Sequence, residues 1–135
     1  MPAKIEPKAR AILDALGCPE QELSILLVDD LQIAELNATY LHREGPTNVI
    51  AFPMQEGEFA GISPDLLGDV VISVDTAERE GGMAGIDVET RMVELLVHGV
   101  LHLMGYDHEH DGDDARRMEE KSVAVLAAIG MDSGG

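Results

Sequence analysis

Two rhythms of apolar residues run along this chain. Leu23 to Val28 and Val70 to Val74 are nearly continuous aliphatic runs and read as strands, the first of them buried. Ile5, Ala9, Ile12, Leu13 and Leu16 instead recur at helical spacing, so a first helix is expected from Pro7 to Leu16, with Gly17 as its stop. Asp29 and Asp30 can cap a second helix that turns Ile33, Leu36 and Tyr40 inward and breaks at Gly45-Pro46. Thr47 to Phe52 then reads as a short strand ended by Pro53, and Met54 to Leu67 is too acidic and glycine-rich to be core. Gly68-Asp69 leads into the clearest strand, Val70 to Val74.

Asp75 with Glu78 has capping-box spacing for a short helix that Gly81-Gly82 should end. Asp87 caps a longer helix, roughly Val88 to Met104. From Met92 onward that helix is apolar on nearly every side, which marks it as buried. Asp113 or Asp114 caps a last helix, with Ala115, Met118, Ser122, Val125 or Leu126, and Ile129 at helical spacing before Gly130. The tail from Met131 to Gly135 is expected to fray. The expected fold is α+β: one small mixed sheet of three to four strands packed with about five helices, the histidine-bearing helix central.

At 135 residues the chain is expected to form a single domain spanning 1–135, with neither repeat nor linker. Aromatics are scarce, two Tyr, two Phe and no Trp, so the core must be aliphatic and Met-filled. Cys18 has no partner for an internal disulfide, fits a reducing cytoplasm, and reads as a small buried or half-buried filler. No stretch resembles a signal peptide or a membrane-length apolar run, so a soluble, intracellular chain is expected. A formal net charge of -17 argues against tight, general binding of nucleic acid, and no DNA partner is expected. It leaves room for a small, locally positive cleft built from a metal and one or two arginines.

The two polar intrusions late in the long helix, His98 and His102, carry the chemistry. They stand four residues apart, so their imidazoles leave one helical face. Gly105 can take positive φ and turn the chain out of the helix, bringing His108 back toward the pair. Two core histidines satisfied by backbone carbonyls are the bland alternative. A third histidine after a glycine turn favours a metal, because each buried imidazole without partners would cost ~1–3 kcal/mol. Three neutral nitrogens with a fourth position open to water suit zinc, while nickel, cobalt or copper would also accept them. The spacing H-x-x-x-H-x-x-G-x-x-H matches metzincin proteases, yet Gly99 stands where those carry their general-base glutamate.

Several carboxylates surround this motif. Glu94 lies one turn before His98 and is either an orienting partner for that imidazole or a surface carboxylate. Asp107 and Glu109 flank His108 as candidate proton acceptors, and His110 is an alternative ligand that the Gly105 spacing disfavours. Asp111 to Asp114 reads as a solvated acidic turn. Pro46-Thr47-Asn48 before an apolar strand is ordinary turn chemistry when taken alone.

Together these segments make the chain similar to the YbeY family of bacterial metal-dependent endoribonucleases, also called rRNA maturation factors. The resemblance runs from about Leu23 to Leu126. It is carried by Leu36-Asn37 with Tyr40, Pro46-Thr47-Asn48-Val49 with Phe52-Pro53, Leu67 to Ser73, and above all His98-Gly99-Val100-Leu101-His102-Leu103-Met104-Gly105-Tyr106-Asp107-His108. It implies that His98, His102 and His108 hold one zinc. Leu41 stands where the family often has an arginine, so Arg43, two residues on, is the candidate for its catalytic, phosphate-holding role, with His42 beside it. Glu44 and Ala51 replace a common aspartate and serine, and the chain is expected to begin without the family's usual first strand.

The resemblance implies cytoplasmic cleavage of single-stranded RNA in small-subunit rRNA 3′-end maturation and ribosome quality control. It also implies a ribosomal small-subunit protein or ribosome-associated GTPase as partner. The rivals are a ribosome-assembly module with a structural metal, and a metallopeptidase. Gly99 weighs against the latter, since loss of a general base removes ~10²–10⁴-fold of rate.

Overall fold

The computed structural model describes residues 5–18, 20–53, 66–105 and 112–130. Its elements run α1 (Ile5–Ala15), β1 (Glu22–Val28), α2 (Asp30–Leu41), β2 (Val49–Pro53), β3 (Leu66–Ser73), α3 (Val74–Ala84), α4 (Val88–Leu103) and α5 (Gly112–Ala128). β3 lies between the other two strands, parallel to β1 and antiparallel to β2, so the sheet is small and mixed, as expected for α+β.

Alternation along β3 divides the interior. Val70 and Ile72 face a large cluster built with Ile5, Ile12 and Leu13 of α1, Met92 to Leu101 of α4, and Met118, Val125 and Leu126 of α5. Val71 faces the other way, into a smaller cluster with Val28, Ile33 and Ile50. Full burial of each such Leu or Ile stabilises by ~1.5–3 kcal/mol, so the large cluster dominates stability. α4 packs against α1, α3, α5, β2 and β3, which explains its all-round apolar composition. α2 covers only part of the second face and leaves Leu26 of β1 53% exposed.

Local chemistry fixes most helix starts. Asp29 accepts from the Gln32 backbone N–H, and Gln32 returns the bond, a full capping box. Asp87 caps α4 through the Thr90 N–H at 2.7 Å. Cys18 is half-buried against the large cluster, where burial, and then Asp14, push its thiol pKa up.

Several expected boundaries are corrected. α1 starts at Ile5 rather than Pro7. α2 ends at Leu41, before Gly45-Pro46, because His42 takes a left-handed conformation (φ 56) and its N–H reaches the Asn37 carbonyl. Tyr40 is not on the inner face: it is 61% exposed and meets Phe52 edge-on, with ring centroids 5.6 Å apart. Asn37 is buried instead, donating to the Gly45 carbonyl at 2.9 Å. β2 begins at Val49 rather than Thr47 and includes Pro53. β3 already includes Leu66 and Leu67, placed above in a segment too acidic and glycine-rich for core, and stops before Val74.

α3 is capped by Ser73, whose hydroxyl accepts from the Thr76 N–H, and not by Asp75. It runs past Gly81-Gly82 to Ala84. α5 begins at Gly112, ahead of both aspartates proposed as caps. The acidic segment 54–65 and the tail 131–135 lie outside the described residues.

Candidate metal centre

Position 99 shows why the histidine helix sits as it does. A Cβ there would lie 2.7 Å from Val70 Cγ1 and 3.4 Å from Val49 Cγ2, so only glycine lets α4 close onto the sheet. His98 and His102 lie on either side of this contact along α4, and both imidazoles are half-buried. A glutamate at 99 would point into β3, so the metzincin general base is excluded by packing as well as by sequence.

The two rings converge. Their Nε2 atoms are 3.1 Å apart and their centroids 4.7 Å apart, with planes inclined at 68°. Donors on one tetrahedral zinc, at bond lengths of ~2.0–2.1 Å, lie ~3.3 Å apart, so the spacing fits a shared ion. Both nitrogens offer lone pairs to that space when the ring protons sit on Nδ1. Past Leu103 the helix closes at Met104, and Gly105 follows with φ 98, the turn out of the helix that the motif calls for. His108, with Asp107, Glu109, His110 and Asp111, lies outside the described residues, as do the side chains of Asp113 and Asp114. Among the described residues, no group of three or more His, Cys, Asp or Glu is placed to hold an ion, so the structure brings two of the expected ligands together.

Glu94 is held by a neighbour on its own helix. Its Oε1 accepts from Arg91 Nη1 at 2.8 Å, and its side chain is 12% exposed. Arg91 donates from Nε and Nη2 to Glu80 Oε1 of α3, at 3.0 and 2.9 Å. Asn48 Nδ2 reaches both Glu80 oxygens at 3.3 Å, and the Asn48 carbonyl accepts from Ser73 N–H. Burial draws the Arg91 pKa down, but hydrogen bonds to Glu94 and Glu80 outweigh it, and the pKa is raised. The sequence reading missed Arg91 and Glu80. The i, i+3 spacing of Arg91 and Glu94 was a usable signal, whereas Glu80 comes from another helix.

Arg43 stands just past α2, exposed, with its backbone N–H on the Asn37 carbonyl at 3.2 Å. Asn37 thus holds the 42–45 turn from two sides, which gives the Leu36-Asn37 pair a structural role. A separate groove of about 580 Å³ is lined by Asp30, Asp75, Glu78, Arg79, Gly82 and Met83, a set too acidic to attract phosphate.

A sequence model of the family described as Endoribonuclease YbeY matches residues 3–130. The chain belongs to that family. Endoribonuclease YbeY of Syntrophotalea carbinolica is 52% identical over 126 residues, covering 93% of this chain and 84% of that relative. The protein of the same name from Geobacter metallireducens is 48% identical over 127 residues, covering 93% and 85%. The solution structure of TM1509 from Thermotoga maritima matches in fold with a TM-score of 0.65 at 24% identity, over 93% of this chain and 80% of that one. The YbeY blocks quoted from the sequence fall on α2, on β2 and the residues just before it, on β3, and on the end of α4 to Gly105, with Tyr106 to His108 outside the described residues. No described helix is long and apolar enough to cross a membrane.

Proposed function

We propose that this chain is a zinc-dependent, single-strand-specific endoribonuclease of the cytoplasm, acting in small-subunit rRNA 3′-end maturation and ribosome quality control. The observation that carries the metal reading is the convergence of His98 and His102 Nε2 at 3.1 Å on one face of α4. Family membership supports the RNA reading, since the relatives are named endoribonucleases. His98, His102 and His108 would hold the ion. Zinc bound there supplies a Lewis acid that polarises a phosphoryl oxygen and lowers the pKa of water toward ~7.

The chain's own residues supply the rest. Arg43, with His42, holds a phosphate and steadies charge on its oxygens. A net charge of -17 weakens general attraction to RNA, so delivery by a ribosomal small-subunit protein or a ribosome-associated GTPase supplies affinity that the surface lacks.

Cleavage of a single-stranded RNA by wild type, His102→Ala and chelated protein tests the proposal, with folding monitored by circular dichroism. Wild type should cleave, and His102→Ala should lose more than ~100-fold, the upper range for changes one layer outside a metal's ligands. Cleavage that persists after complete metal removal contradicts the enzyme reading. Ribosome binding without any cleavage, in the zinc-loaded wild type, would leave the assembly module as the answer.

A further inference from the structure

Arg91, Glu94, His98 and His102 are spaced by three, four and four residues and so form one stripe along α4. Helical side chains lean toward the N-terminus, which places the His98 ring over the turn that carries Glu94. His98 Nε2 faces His102 Nε2, so a metal-ligating His98 keeps its proton on Nδ1 and requires an acceptor there. Glu94 is the carboxylate one turn back, largely buried, and fixed in place by Arg91. Arg91 in turn is fixed by Glu80, which also holds Asn48 at the entrance to β2.

Building on the metal centre proposed above, we infer that Glu94 is the positioning residue for His98, and that Arg91, clamped by Glu80, holds it in that role. Glu94 does not itself join a metal-sized group among the described residues, which separates orienting from ligating. Two carboxylates share one guanidinium here, so the network carries a net negative charge beside the stripe. Because Glu94 is little exposed, that charge is weakly screened and favours a cation on the histidines. The same network ties the turn before β2, through Asn48, to the helix that presents the ligands.

The test uses Co²⁺ as the probe, because its absorption reports ligand geometry. Wild type, Glu94→Gln and Arg91→Lys are titrated with Co²⁺, and thermal unfolding of each metal-free protein is recorded. Glu94→Gln keeps the shape and the bond from Arg91 but loses the charge. It should bind Co²⁺ ~10–100-fold more weakly, with a shifted visible spectrum and an unchanged unfolding midpoint. Arg91→Lys keeps the charge but not the fork, and should fall between the two. A Glu94→Gln protein that matches wild type in affinity and spectrum overturns the inference.

A second measurement needs no variant. In the zinc-loaded wild type, long-range ¹H–¹⁵N NMR should show the His98 Nδ1 proton protected from exchange with water, and rapid exchange would overturn the inference. Wild type that binds neither Co²⁺ nor Zn²⁺ removes the metal centre itself, whereas wild type that binds while the variants are unaffected removes only the role of Glu94.

Discussion

Two carboxylate–guanidinium clusters in this molecule share the same 2.8 Å contact and do different things. In the first, Asp30 at the start of α2 accepts from Ser73 Oγ and Thr76 Oγ1, both at 2.6 Å, and from Arg79. Its own N–H donates to Asp75, so the starts of α2 and α3 are tied together. In the second, Glu94, Arg91 and Glu80 connect α3 to the histidine stripe of α4. Arg79 is 60% exposed, whereas Arg91 is 26% exposed between its two partners. The exposed pair is screened and serves as a helix fastener. The half-buried one puts a fixed charge beside the two proposed metal ligands. Position relative to His98 and His102, rather than bond length, separates the two clusters in the roles proposed for them.

The comparison assumes that one face of α4 is packed and the other works. Gly99→Glu attacks that assumption and carries the largest effect. It should destabilise by at least ~3 kcal/mol, since it forces a charged side chain against Val70. Thermal unfolding reads this, and a stable variant would show that α4 is not seated on the sheet as described. Arg91→Met comes next. It should cost about 2 kcal/mol, below the ~3–5 of a fully buried pair because Arg91 is partly exposed, and should also weaken metal binding. Denaturant titration with and without zinc separates the two losses.

Gly105→Val should cost ~1–2 kcal/mol locally, since φ 98 suits a β-branched residue poorly, and should lower zinc occupancy. Full occupancy would show that the turn does not depend on glycine.

The smallest effect is expected for Asp30→Asn, because its pair with the 60% exposed Arg79 is screened by solvent. Hydrogen bonds from Ser73, then Thr76 and Arg79, lower the Asp30 pKa from 3.8 to about 2. A lowered folded pKa means that the stabilisation is present above pH 3.8 and is lost as pH falls toward 2. Asp30→Asn should therefore flatten the stability–pH curve within that acid window and nowhere else. A change in metal affinity on Asp30→Asn would erase the contrast between the clusters.

Much of this architecture is legible in the sequence wherever causes are local. Asp29 and Asp87 cap helices through side chains that reach three residues ahead, and the apolar run of β3 faces two covering layers, whereas that of β1, expected to be buried, is covered on one face and leaves Leu26 53% exposed on the other. The histidine pair is legible for the same reason: four-residue spacing on a helix fixes the face. The failures come from partners distant in sequence. Asp75 has capping-box spacing with Glu78, yet its carboxylate serves the Asp30 N–H, 45 residues away, and leaves the cap to Ser73. Tyr40 fits an apolar stripe, yet α2 overlies only part of the sheet and turns that ring out. Glu80 gave no local sign of a role because its partners, Arg91 and Asn48, come from another helix and a turn.

Elemental analysis of the purified protein, beside His98→Ala and His102→Ala, tests the central claim most directly. The account predicts one zinc per wild-type chain and little or none in either variant, with all three proteins folded. Full zinc retention by both variants would contradict it, because the ion would then be held elsewhere than between the two imidazoles.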